Sequence, residues 1–124
     1  MIVGIGTDIV DTGRLHDALA RNGDAFIKRI YTEREQRESG GRLEYYAGRW
    51  AAKEAAAKAL GCGMGATCSF TDIEISNDPH GAPLLNCTAV AALELAKKHH
   101  SLRWHVSISH ERSCAVAVVI IESI

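Results

Sequence analysis

The sequence predicts a single α+β domain, and three observations predict it. Alternating apolar segments stand at both ends of the chain, a long alanine-rich helical segment occupies the middle, and glycine- or proline-containing turn clusters separate short apolar runs. The chain has 124 residues and is 47% hydrophobic, so residues 1–124 are expected to form one domain with a real core.

The first element is a strand at 2–10, IVGIGTDIV. Val3, Ile5, Thr7 and Ile9 make one face, while Gly4, Gly6 and Asp8 make the other. Two glycines on one strand face point to close approach by a ligand or another backbone. Helices are expected at 12–21 and 25–31, the second with Asp24 as N-cap, followed by a capping box from Thr32 to Glu35. A long helix is expected over 42–60, with Gly61 at its C′ position. The glycine-rich 61–69 reads as a loop. Strands at 70–76 and 83–87 are joined by the turn cluster NDPHGA, and 88–100 reads as an amphipathic helix. The strands 103–110 and 114–121 close the chain as a hairpin across Glu111–Ser113. CAVAVVII in the last is apolar on both faces and reads as central and buried.

Composition narrows the function. A formal charge of −1 argues against a bulk binder of polyanions such as nucleic acid. No apolar run reaches the length of a membrane span, and MIVGIGTD has no basic n-region, so a cytoplasmic protein is expected. Cys62, Cys68, Cys87 and Cys114 form no C-x-x-C pair and read as reduced, structural thiols. The histidines lack metal-site spacing, and the adjacent His99 and His100 are expected to be solvated.

Two carboxylates stand out. G4-I-G6-T-D8 is not a dinucleotide fingerprint, because Ile9 occupies the third glycine position, and no G-K-[ST] makes it a Walker loop. Asp8 is either a helix-capping residue at the end of a thinned strand or a carboxylate on a cleared surface, suited to a hard cation such as Mg²⁺. In RWAAKEAAAKALG, Leu43, Tyr46, Ala47, Trp50, Ala57 and Lys58 make one helical stripe with Glu54 near its middle. Glu54 and Lys58 could form a solvated i,i+4 pair. With Tyr46 and Trp50 on the same face, the alternative is that Glu54 joins Asp8 at a metal, with Lys58 a point charge for phosphate. His110 shares the face of Trp104, Val106 and Ile108; Ser107 and Ser109 lie opposite.

Together these stretches resemble the bacterial holo-[acyl-carrier-protein] synthases, the small 4′-phosphopantetheinyl transferases. GIGTDIVDTGRL is similar to the family's G-x-G-x-D-[IV] opening strand and following Arg. FIKRIYTERE resembles its F-x-x-[RK]-x-[YFL]-T-x-x-E segment, and AGRWAAKEAAAKALG its W-x-x-K-E-A-x-x-K signature. NDPHGAPLL resembles the turn before its G-x-P, and VSISHERSCAVAVVI its closing S-I-S-H hairpin. The matches fall in the family's order. Ala56 stands where many members carry an aromatic, and Ala82 replaces a common basic residue between Gly81 and Pro83.

The resemblance implies the 4′-phosphopantetheinyl transferase fold, a mostly antiparallel sheet packed against a long helix. It implies coenzyme A as substrate, bound with its pyrophosphate on Mg²⁺ that Asp8 and Glu54 help hold. A serine hydroxyl of apo-acyl carrier protein attacks the β-phosphate, the 4′-phosphopantetheine arm is transferred, and adenosine 3′,5′-bisphosphate leaves. Lys58 is then expected on the phosphates, and Arg49 and His110 near the nucleotide 3′-phosphate. Either Glu54 or a metal-bound water activated by Asp8 could serve as general base. A homotrimer with active sites shared between two subunits is also implied. Acyl carrier proteins are acidic, so docking is expected on a local basic patch of Arg14, Arg21 and Lys28, unless Asp17 neutralises Arg14 and Arg21. Two rivals are a cyclodiphosphate synthase, whose metal-binding histidine would have to replace Val10, and a coenzyme A-binding module without turnover.

Overall fold

The close approach expected of Gly4 and Gly6 organises the whole molecule, which a computed structural model describes from Met1 to Ile124. Strand β1 (Ile2–Asp11) lies with its glycine face on helix α3 (Leu43–Ala59). A Cβ built on Gly4 would sit 2.1 Å from the Ala59 carbonyl oxygen, and one on Gly6 would sit 1.9 Å from that of Ala55. No side chain fits there, so the strand backbone rests on the helix backbone. Alanines at Ala55 and Ala59 complete the fit from the helix side.

The apolar face of β1 is therefore the outer one: Ile5 and Ile9 are 65% and 67% exposed. The helix takes the glycine side, the backbone contact that the two glycines predict.

Asp11 ends β1 and caps helix α1 (Thr12–Ile30), its Oδ1 accepting from the amides of Gly13 and Arg14. The two helices expected here are present and meet at a kink at Asn22, whose φ of −156° is not helical, so the second begins ahead of position 25. Asp24 thus lies within the helix rather than at its N-cap. The capping box is present: Thr32 and Glu35 exchange hydrogen bonds at the start of α2 (Glu33–Ser39).

Helix α3 runs one residue inside its expected bounds at each end and is buried almost all round. This corrects the single-stripe reading. Sheet strands, α1 and α2 surround it, and only Glu44 and Lys58 along its length are exposed. Lys53 is fully buried and forms an ion pair with the equally buried Glu35 at 2.8 Å.

After the loop, a 3-10 turn (Phe70–Asp72) takes the place of the first residues expected in a strand. It leads into β2 (Ile73–Asn77), which pairs antiparallel with β3 (Pro83–Cys87). Helix α4 (Val90–His99) follows, then β4 (Leu102–His110) and β5 (Cys114–Ser123). The expected single sheet is two: a three-stranded antiparallel sheet ordered β1-β5-β4, and the β2-β3 ribbon. Strand β5 is central as expected. Ala115, Ala117, Val119 and Ile121 face α3 and are buried, whereas Val116, Val118 and Ile120 lie on the barer outer face. All four cysteines are free thiols. His100 is exposed as expected, but His99 is half-buried beneath Ser123, whose hydroxyl donates to its carbonyl.

Candidate active site

Where the β1 glycines end, the first side chain on that face is Asp8, delivered directly onto α3. Lys58 Nζ donates to Asp8 Oδ1 and to the Thr7 carbonyl, both at 3.0 Å. Lys58 therefore turns across to the strand rather than down its own helix to Glu54. The solvated i,i+4 pair does not form.

Asp8 and Glu54 line one cleft of about 240 Å³ with Asp11, Arg14 and Trp50. The Glu54 carboxyl is held above the ordinary carboxylate range, first by burial and then by the negative charge of Asp8; Lys58 opposes both. Two carboxylates thus share a half-dry cleft in which the lysine ammonium is committed to one of them. Trp50 lies beside Glu54 in the same cleft.

The donor set suits a hard cation. It offers oxygen ligands only, and its charge is under-neutralised. No three His, Cys, Asp or Glu side chains cluster to form an all-protein metal cage. The arrangement fits an ion such as Mg²⁺, which takes one or two carboxylates and fills its remaining positions with water and substrate phosphate.

A second cleft, of about 250 Å³, lies on the other side of α3 and holds Arg49 and His110 together, as expected. Arg49 is only 8% exposed. Its guanidinium lies 4.0 Å from the centre of the Tyr45 ring, and its Nη2 donates to Asn77 Oδ1. Arg42 approaches the same ring at 5.6 Å. Arg49 Nε and the Tyr45 hydroxyl are buried without partners. Two guanidinium groups and a histidine line this one cleft, a donor set suited to an anion, with Glu38 and Glu44 among the same lining residues.

The sequence missed Arg42, Tyr45 and Asn77. The turn cluster NDPHGA was the one available signal for Asn77, but nothing in the sequence says which helix that turn meets.

The basic residues divide. Arg14 lines the carboxylate cleft, whereas Arg21 borders a separate depression with Phe26 and Arg29. Lys28 lies exposed beyond the kink at Asn22. Asp17 approaches His16 at 3.7 Å and makes no ion pair with Arg14 or Arg21.

Residues 4–119 match the family model of the 4′-phosphopantetheinyl transferase superfamily. A holo-[acyl-carrier-protein] synthase of Aliivibrio fischeri (strain MJ11) is 47% identical over 98% of both chains, and one of Shewanella denitrificans is 48% identical over the same shares. Among solved structures, a holo-(acyl-carrier-protein) synthase from Bacillus anthracis in complex with CoA (3′,5′-ADP) superposes with a TM-score of 0.83. It is 41% identical, covering 99% of this chain and 98% of that one. The holo-[acyl-carrier-protein] synthase of Neisseria meningitidis gives 0.87 at 38% identity, covering 98% and 99%.

Proposed function

The chain belongs to the 4′-phosphopantetheinyl transferase superfamily, and from that premise we infer a holo-[acyl-carrier-protein] synthase. It transfers the 4′-phosphopantetheine arm of coenzyme A to a serine of apo-acyl carrier protein, giving holo-carrier and adenosine 3′,5′-bisphosphate. The whole chain, 1–124, acts as the single transferase domain. Its cellular setting is fatty acid biosynthesis in the cytoplasm, and no helix is long and apolar enough to cross a membrane.

The observation that carries the finer reading is the under-neutralised pair Asp8 and Glu54 in one cleft. These two carboxylates would hold Mg²⁺. When bound, the ion supplies positive charge to the coenzyme A pyrophosphate. Lys58, beside Asp8, adds a second positive charge at the same phosphates. Arg49 and His110 take the nucleotide 3′-phosphate in the second cleft. Positive charge thus meets coenzyme A at its pyrophosphate and at its 3′-phosphate, and positioning with charge neutralisation is most of what phosphoryl transfer requires. Because the two clefts lie on opposite sides of α3, one coenzyme A would use the first cleft of one subunit and the second cleft of its neighbour.

The carrier serine approaches at the Arg14 end of the carboxylate cleft, with Arg14, Arg21 and Lys28 receiving its acidic partner helix or loop. Ile2, Ile5, Ile9 and Val116 form an exposed apolar face on β1 and β5, which supports assembly into a homotrimer with shared active sites.

The test is direct. Incubated with coenzyme A, Mg²⁺ and an apo-carrier, the protein should add one phosphopantetheine mass to the carrier, and a chelator should stop the reaction. Coenzyme A binding with no mass gain would leave a binding module instead. Light scattering should give about three times 13.4 kDa.

A further inference from the structure

A guanidinium recognises a phosphate by offering two N–H donors in a fixed plane. A free arginine side chain samples many rotamers, so a useful clamp must be oriented before the ligand arrives. In the second cleft, the Tyr45 ring supports one face of the Arg49 guanidinium at 4.0 Å. Stacking of this kind fixes the plane but not the rotation within it. The in-plane direction is set by Asn77, whose Oδ1 accepts from Arg49 Nη2.

Asn77 is itself held. Its Nδ2 donates to the Gly81 carbonyl at 2.9 Å, and since a carbonyl only accepts, this contact decides which end of the amide faces Arg49. The turn carrying Gly81 is closed by Asp78, whose Oδ1 accepts from the amides of His80 and Ala82 at 2.8 and 2.9 Å. Gly81 has a φ of +90°, which a side chain would strain. A chain of contacts therefore runs from the β2–β3 turn through Asn77 to the guanidinium. The identity of the residue is informative too. Asparagine accepts a hydrogen bond without a charge, so Arg49 keeps its full positive charge for an anion, and its Nε has no partner in the protein.

We propose that Asn77 is a positioning residue: it fixes the Arg49 guanidinium in the cleft shared with His110, and so sets the preference for a nucleotide carrying a 3′-phosphate. This rests on the reading of that cleft as the 3′-phosphate subsite.

The experiment is calorimetric titration of the intact protein, without carrier, with coenzyme A and with 3′-dephospho-coenzyme A. The ratio of the two dissociation constants measures the 3′-phosphate preference. Arg49→Ala should collapse this ratio. Asn77→Ala should lower it by about tenfold, the scale of one hydrogen bond to a charged group, and should add nothing in the Arg49→Ala background. Asn77→Asp keeps an oxygen toward Arg49 and preserves shape, but sets a carboxylate against the guanidinium, so the ratio should fall at least as far. If Asn77→Ala does not melt cooperatively, Asn77→Asp decides. A wild-type ratio in a folded Asn77 variant, with Arg49→Ala collapsed, overturns the positioning role alone. A wild-type ratio in Arg49→Ala overturns the subsite reading and the proposal with it.

Discussion

Lys53 and Glu54 are neighbours on α3, yet they occupy opposite electrostatic situations. Lys53 projects into the core and is fully buried. Its Nζ donates to the carbonyls of Phe70 and Ile73, and it lies 2.8 Å from Glu35. Glu35 is satisfied in turn, accepting from the amides of Thr32 and Ile75. Burial pushes the Lys53 ammonium below its ordinary range, and Glu35 pulls it back. Glu54, about 100° further round the helix, faces a cleft. Burial and Asp8 both disfavour its charge, and the nearest cation is engaged elsewhere. One charge is complete within the fold and holds α2, α3 and β2 together. The other is left incomplete, which is the condition of a group meant to meet something from solution.

The largest effect should come from the incomplete side. Asp8→Ala or Glu54→Ala should lower transfer by about a thousandfold or more, because charge stabilisation at the phosphates is lost, while the variants stay folded by circular dichroism. Glu54→Gln with near wild-type turnover and an unchanged Mg²⁺ dependence would break the comparison, since Glu54 would then be a bystander.

The complete side should answer in stability rather than chemistry. Lys53→Met leaves the Glu35 carboxylate buried and uncompensated, and should cost about 3–5 kcal/mol in urea unfolding. Adding Glu35→Gln removes that charge while keeping an acceptor oxygen for a backbone amide, so the double variant should recover part of the loss. The non-additivity measures the pair. At temperatures where it is folded, Lys53→Met should keep its Mg²⁺-dependent turnover. A folded Lys53→Met as inactive as Glu54→Ala would show that the two charges are not separable.

The sequence disclosed these two sides unequally. Asp8 was legible because two glycines clear the strand before it, and clearing a face has few physical purposes. Glu54 was legible because a carboxylate sat in an apolar stripe. Lys53 escaped notice because its partner lies in α2, eighteen positions away by number, and helical periodicity reports a face without naming what covers it. The same limit hid the outer face of β1: alternation identified Ile5 and Ile9 as one face, but the backbone contact at Gly4 and Gly6 decided which face met the helix. The resemblance implies one ligand for Arg49 and His110, and the fold brings the two to one cleft. Asn77 could not be placed there from spacing, since its role depends on where a hairpin turn lands.

The smallest effect concerns the cost of leaving Glu54 incomplete. Its folded pKa lies above its unfolded value, so the folded state holds its proton to higher pH than the unfolded chain does. Near neutral pH, where both states are ionised, the charge therefore opposes folding. As pH falls through the raised folded value, the folded state takes up a proton first and this opposition fades, until both states are protonated below the ordinary carboxylate value of about 4.3. Glu54→Gln removes the charge at every pH. It should therefore melt slightly higher than the wild type at pH 7, and the gap should close on acidification. Millimolar Mg²⁺ at pH 7 should close it from the other direction, raising the wild-type melting temperature and leaving that of Glu54→Gln nearly fixed. A gap that ignores both pH and Mg²⁺ would mean that Glu54 is as settled in the fold as Lys53, and the contrast between the two neighbours would be lost.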